Sequence, residues 1–145
     1  MIIIPYERID SLEFGRSVAT DCLREYGEPI DISTDRVGKV SYSYPGHVVR
    51  FDRVDGTLRD CTLLPYATAV IESIPVTWDR HFLEEICQRD GRPVVVQGFV
   101  ILPSIGISVT GIHDDDRSQL FVGASKRGVW DDLLKLGKPF DLASL

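Results

Sequence analysis

Apolar and polar positions follow two different periods along this chain. Between Arg16 and Tyr26, the residues Val18, Cys22, Leu23 and Tyr26 recur at i, i+4, i+5 and i+8. That spacing makes one buried stripe on a helix, with Asp21, Arg24 and Glu25 facing water. A second helix is predicted after Asp79, a good N-cap, with Phe82, Leu83, Ile86 and Cys87 as its apolar face and Arg89 near its negative end. A third should start near Gly128 or Val129 and bury Trp130, Leu133 and Leu134, with Lys135 close to its C-terminus. A Gly-x-Pro signal follows each pattern, at Gly27–Pro29, Gly91–Pro93 and Gly137–Pro139. Glycine can close a helix in the left-handed conformation, and proline two residues later prevents its continuation.

Elsewhere the period drops to two. Val40, Tyr42 and Tyr44 share one face of a strand, and Pro45-Gly46 turns the chain into a second strand over His47 to Phe51. Asp55-Gly56 marks the next hairpin, between Val48–Arg53 and Thr57–Leu64, and a strand near Ala67 to Glu72 completes a meander. After the second helix the theme repeats: Val94 to Leu102, a turn at Pro103-Ser104, Ile105 to Ile112, an acidic turn, and Leu120 to Ala124. The expected fold is therefore α+β: two tandem helix-plus-antiparallel-meander units, about 10–75 and 76–145, forming one sheet packed by helices, with a C-terminal helix. The loop-rich segment Gly27 to Lys39 is too short for an interdomain linker, so residues 1–145 read as a single domain.

Composition narrows the function classes. Hydrophobic residues make up 43% and charged residues 26% of the 145, which is the composition of a folded chain. Sixteen basic residues against twenty-two acidic ones give a net charge of −6, a field that repels phosphate backbones and argues against nucleic acid as a direct ligand. The longest apolar runs, Met1–Ile4 and Phe99–Leu102, fall far short of the roughly 18 residues of a membrane span. The opening residues have no basic n-region, and a cytoplasmic location is expected. Cys22, Cys61 and Cys87 are odd in number, widely spaced and set among apolar neighbours, as small buried hydrophobes of a reducing compartment.

Candidate chemistry is sparse. His113-Asp114-Asp115-Asp116-Arg117 is the densest polar cluster, but it lacks the alternating ligands, central glycine and distant glutamate of a calcium loop. It reads as a solvated turn that can meet a basic partner surface. His47, His81 and His113 are far apart in sequence, and no nucleophile elbow, phosphate-binding loop, dinucleotide fingerprint or zinc-protease helix is present. Neither a cofactor nor a metal is expected. An enzyme using paired carboxylates such as Asp52 and Asp114, or His113, remains the alternative from a different class.

Several short stretches carry a family likeness. Leu12-Glu13-Phe14-Gly15-Arg16-Ser17 with Gly27-Glu28-Pro29, then Val49-Arg50-Phe51-Asp52, Gly106-Ile107-Ser108 and Gly111-Ile112-His113-Asp114, resemble small bacterial immunity proteins of polymorphic or contact-dependent toxin systems. The resemblance implies a cytoplasmic protein that neutralises a cognate protein toxin by tight stoichiometric binding, with no catalytic residues. Asp114, Asp115, Asp116, Arg117 and Trp130 are the candidate partner-binding residues on that reading. Architecturally, repeated helix-plus-meander units are also similar to β-lactamase-inhibitor and outer-membrane assembly lipoprotein folds, whose lipobox is missing here. A self-associating regulatory module, acting as a homodimer, is the third expectation.

Overall fold

In the computed structural model of the protein, which describes residues 1–144, the chain opens with three very short strands, β1 (Ile2–Ile4), β2 (Arg8–Ile9) and β3 (Leu12–Glu13). Helix α1 (Ala19–Tyr26) leads into an antiparallel meander of β4 (Asp31–Thr34), β5 (Val40–Ser43), β6 (His47–Phe51) and β7 (Leu58–Leu63). Then come β8 (Val70–Ile71), β9 (Ile74–Pro75) and helix α2 (Arg80–Asp90). A second meander follows, made of β10 (Val94–Val96), β11 (Phe99–Leu102), β12 (Ile107–Thr110) and β13 (Phe121–Ser125). The one-turn helix α3 (Asp131–Leu134), β14 (Lys138–Pro139) and a 3-10 turn at Leu142–Ser144 follow.

Two sheets result. The larger has nine strands in the order β14-β10-β11-β12-β13-β7-β6-β5-β4, so that the two meanders join at an antiparallel seam between β13 and β7, with Val122 opposite Leu63 and Ser125 opposite Asp60. The smaller has five strands, β3-β2-β1-β8-β9, and contains a parallel pair in which Ile2 meets Val70 and Ile3 meets Ile71. One cluster of buried apolar side chains draws on Ile3, Ile9, Leu12 and Ile71 of the small sheet, on Phe82, Leu83, Ile86 and Cys87 of α2, and on one face of the large sheet.

This corrects the α+β expectation of one sheet packed by helices. The molecule is mostly sheet, and the three helices, of eight, eleven and four residues, cover little of it. Helix α1 starts three residues later than the apolar spacing suggests and buries Cys22 alone, and α3 buries none of its residues. A second sheet takes the place that helices were expected to fill. Its strands are two or three residues long, too short for alternation to show. Val70–Ile71, expected as the last strand of the first meander, pairs with the N-terminal strand instead. Val94 to Leu102, expected as one strand, is a hairpin. Gln97 and Gly98 both take positive φ (50° and 83°), as a two-residue turn matched to the strand twist requires.

Three local expectations match. Asp79 caps α2, its carboxylate accepting from the Phe82 N–H at 2.9 Å, and Gly91 ends it in the left-handed conformation at φ 85°. Gly27 closes α1 at φ 79°, whereas Gly137 lies beyond the C-cap of α3 and donates to the Leu134 carbonyl at 3.2 Å without entering the left-handed region.

Candidate binding site on the open sheet face

Alternate residues of the large sheet point to opposite sides. Leu102, Ile107, Ala124, Cys61 and Val49 stand in register across five strands and are all buried in the core. One residue away, Ile101, Ser108, Gly123, Thr62 and Val48 form the matching row on the other side. That side carries an open cavity of about 570 Å³.

A β-bulge sets its charged floor. Arg50 faces Asp60 but Phe51 faces Leu58, which leaves Arg59 as an extra residue in β7. Leu58 and Cys61 are both buried, and between them Arg59 and Asp60 both line the cavity, because a bulge re-aims a side chain that strict alternation would send through the sheet. The Asp60 carboxylate accepts from Arg50 Nη1 at 2.9 Å, and the same nitrogen donates to Thr62 Oγ1 at 2.8 Å. Arg59 Nε lies 3.4 Å from the second Asp60 oxygen, close enough for an ion pair, yet it is buried and lacks a hydrogen bond of good geometry. One carboxylate thus holds two guanidiniums in place.

Aromatic groups form the walls. Phe99 and Trp130 pack with tilted rings at 5.2 Å between centroids, while Phe121, Val129 and Leu133 complete the apolar lining. Gly123 keeps the floor open: a Cβ there would come within 2.6 Å of Ser108 Oγ. Helix α3 approaches the sheet beside β10, so the residues expected to form a buried helical stripe, Trp130 and Leu133, face this cavity instead.

The sequence-predicted contact residues are therefore split. Trp130 lines the cavity, and Asp114, Asp115, Asp116 and Arg117 do not. Those four occupy the exposed connection between β12 and β13, where Asp116 accepts from Ser118 N and Oγ, and Asp114 accepts from Asp116 N. Arg117 donates to the Trp78 carbonyl at 3.2 Å, tying the turn to the entry of α2.

The alternative catalytic groups do not assemble. Asp52 sits at the end of the β7–β13 seam where Asp60 meets Ser125, and Asp114 lies beyond the opposite end, so the two carboxylates cannot act on one bond. Asp52 is ion-paired to Lys126 at 2.5 Å, which holds its carboxyl below the ordinary range. His113 packs edge-on against Phe140 and leaves Nδ1 buried without a partner. His47 packs between Tyr26 and Tyr44, and burial lowers its pKa. Cys22, Cys61 and Cys87 are buried and free, and burial pushes the Cys87 thiol up to about 12, which keeps it protonated and inert. Among the described residues no group of three or more His, Cys, Asp or Glu side chains is placed to hold a metal ion, and no helix is long and apolar enough to cross a membrane.

Sequence reasoning missed Arg59, Asp60 and Thr62 as site residues. The available signal was Leu58-Arg59-Asp60-Cys61, where two polar residues between two apolar ones break the period of two. No family model matches the chain, and neither a curated protein nor a solved structure matches it.

Proposed function

We propose that the protein is a binding module that captures a protein partner stoichiometrically, and that it serves as a cytoplasmic immunity protein against a toxin effector. The observation that carries the binding reading is the open-face cavity, with an Arg50–Asp60–Thr62 network fixed on its floor and Phe99, Phe121 and Trp130 around it. Aromatic and arginine side chains in a pre-ordered pocket are the groups that dominate binding energy at protein interfaces. The floor groups bond to one another, an arrangement suited to seating a partner's side chain rather than to moving a proton. The toxin-neutralising role rests on the sequence resemblance, two of whose stretches supply Arg50 and Ser108 to the cavity. The exposed turn Asp114–Asp116 serves as a second contact for basic groups of the partner.

Co-expression with the toxic product of an adjacent gene tests this. Restored growth together with a one-to-one complex on gel filtration is the expected result. Growth that stays arrested while the chain accumulates in folded form sinks the proposal.

A second reading, self-association, is favoured by the outer strand β4, all of whose residues are exposed, together with the exposed Ile30 and Ile32. An uncovered sheet edge is a template for pairing with another chain. Sedimentation equilibrium showing only monomer removes it.

A further inference from the structure

The cavity on the open face carries a charge opposite to that of the chain. Lys39, Arg50 and Arg59 line it against a single carboxylate, Asp60, for a formal charge of +2 in a protein whose net charge is −6. Asp35 neutralises part of this from outside the lining, at 3.7 Å from Lys39.

Donors also outnumber acceptors. Both of Arg50's side-chain hydrogen bonds go through Nη1, so Nη2 and Nε have no protein acceptor among the described residues. Ser108 Oγ stands against the bare Cα of Gly123 on the cavity floor, whereas Arg59 Nε is buried beside Asp60 and adds charge rather than a free donor. A pocket with surplus charged donors is completed by an acceptor that brings negative charge.

From these groups we infer that the cavity binds a carboxylate carried on an apolar or aromatic body. Resting on the protein-capture reading above, the occupant is an acidic side chain within an apolar segment of the partner. The rings of Phe99, Phe121 and Trp130 supply the surface for the apolar part. The apolar walls favour a carboxylate on an apolar body over free phosphate, which has no apolar part to place against Phe99, Phe121 and Trp130. The overall negative field of the chain acts against polyanions as well.

The test titrates the isotopically labelled full chain with naphthoate, with naphthamide as its neutral counterpart, and with inorganic phosphate and AMP, followed by NMR. The chain has two tryptophans. Trp130 lines the cavity, whereas Trp78 is buried with its indole N–H bonded to the Ala67 carbonyl. Naphthoate should move the Trp130 indole resonance and the Ser108 and Gly123 amides while leaving the Trp78 indole in place. Naphthamide should bind about tenfold more weakly, and Arg50→Gln should weaken naphthoate by about tenfold. Lys39→Gln, which leaves the Arg50–Asp60 pair intact, should weaken it about two- to threefold.

Absence of any Trp130 shift at roughly 10 mM naphthoate overturns the inference. So does equal binding of naphthamide, and tighter binding of phosphate or AMP would make the cavity a phosphate site. These titrations contain no partner protein, so naphthoate binding without growth rescue leaves the anion site standing and removes the immunity reading. Rescue by a complex whose affinity is unchanged in both Arg50→Gln and Lys39→Gln does the reverse.

Discussion

The two faces of the nine-stranded sheet are built by the same strands from neighbouring residues, and they are held by different forces. On the inner face, Leu102, Ile107 and Val49 give up all contact with water, and stability there depends on apolar area and volume. On the outer face, one residue along, Thr62 and Ser108 sit beside a charged network whose value depends on hydrogen-bond geometry. The inner face holds the fold, and the outer face can then keep unsatisfied donors and an empty floor that would be destabilising as a core. The cost of individual substitutions measures how complete that division is.

The largest effect should come from the inner row. Leu102→Ala should destabilise the protein by about 2–5 kcal/mol, read from urea unfolding, because it opens a cavity in close-packed surroundings. Thr62→Ala on the outer row should cost only about 0.5–1.5 kcal/mol, the loss of one acceptor for Arg50. Equal costs would break the comparison. Next, Gly123→Ala should cost about 1–3 kcal/mol by overpacking against Ser108 Oγ, and adding Ser108→Ala should recover much of it in a double-mutant cycle. Simple additivity would mean that the outer face yields freely.

The cover of the inner face gives a smaller effect. Asp79→Ala removes the cap from α2, whose Phe82, Leu83 and Ile86 lie against that face, and should lower stability by about 1 kcal/mol in thermal unfolding. The smallest effect concerns acid. Lys126 holds the Asp52 carboxyl below its ordinary value, with the Val54 amide adding to the shift. A value lowered by folding gives a stabilisation that is complete above the unfolded-chain value of about 3.9 and is lost as the pH falls through the folded one. Lys126→Met should therefore cost about 0.2–1 kcal/mol at neutral pH, and the difference should shrink as the pH falls below the unfolded-chain value.

What the sequence reveals follows the same division. Helix α2 is legible because eleven residues give room for a complete apolar stripe and a cap at Asp79. Strands β5 to β7 are legible because alternation persists over four to six residues, whereas β4 lies in the segment Gly27 to Lys39 that reads as a loop, and β10 and β11 read as one strand. The small sheet is not. Ile2–Ile4 and Val70–Ile71 are too short to show a period, and a parallel pairing across most of the first half of the chain leaves no local mark. The site is illegible for a similar reason. Arg50, Asp60 and Ser108 meet only through strand register, and Arg59 reaches them only through a bulge, whereas the acidic turn stands out in sequence while much of its bonding is internal. Trp130 was identifiable as a large aromatic residue, but its apolar spacing with Leu133 suggested a buried helix rather than a cavity wall.

The parallel pair between β1 and β8 also imposes an order on folding during synthesis. Strand β1 finds β2 at once, because Ile3 and Ile9 are six residues apart. Its other edge has no partner until Val70 and Ile71 have been made, roughly 3–14 s later at about 5–20 residues per second. Throughout that interval the first strand presents isoleucines beside an open backbone edge, the geometry most prone to pair with a neighbouring nascent chain. Slower translation after Val70 and Ile71 have emerged from the ribosome should leave yield unchanged, whereas slower translation before that should lengthen the exposed interval and lower the soluble fraction.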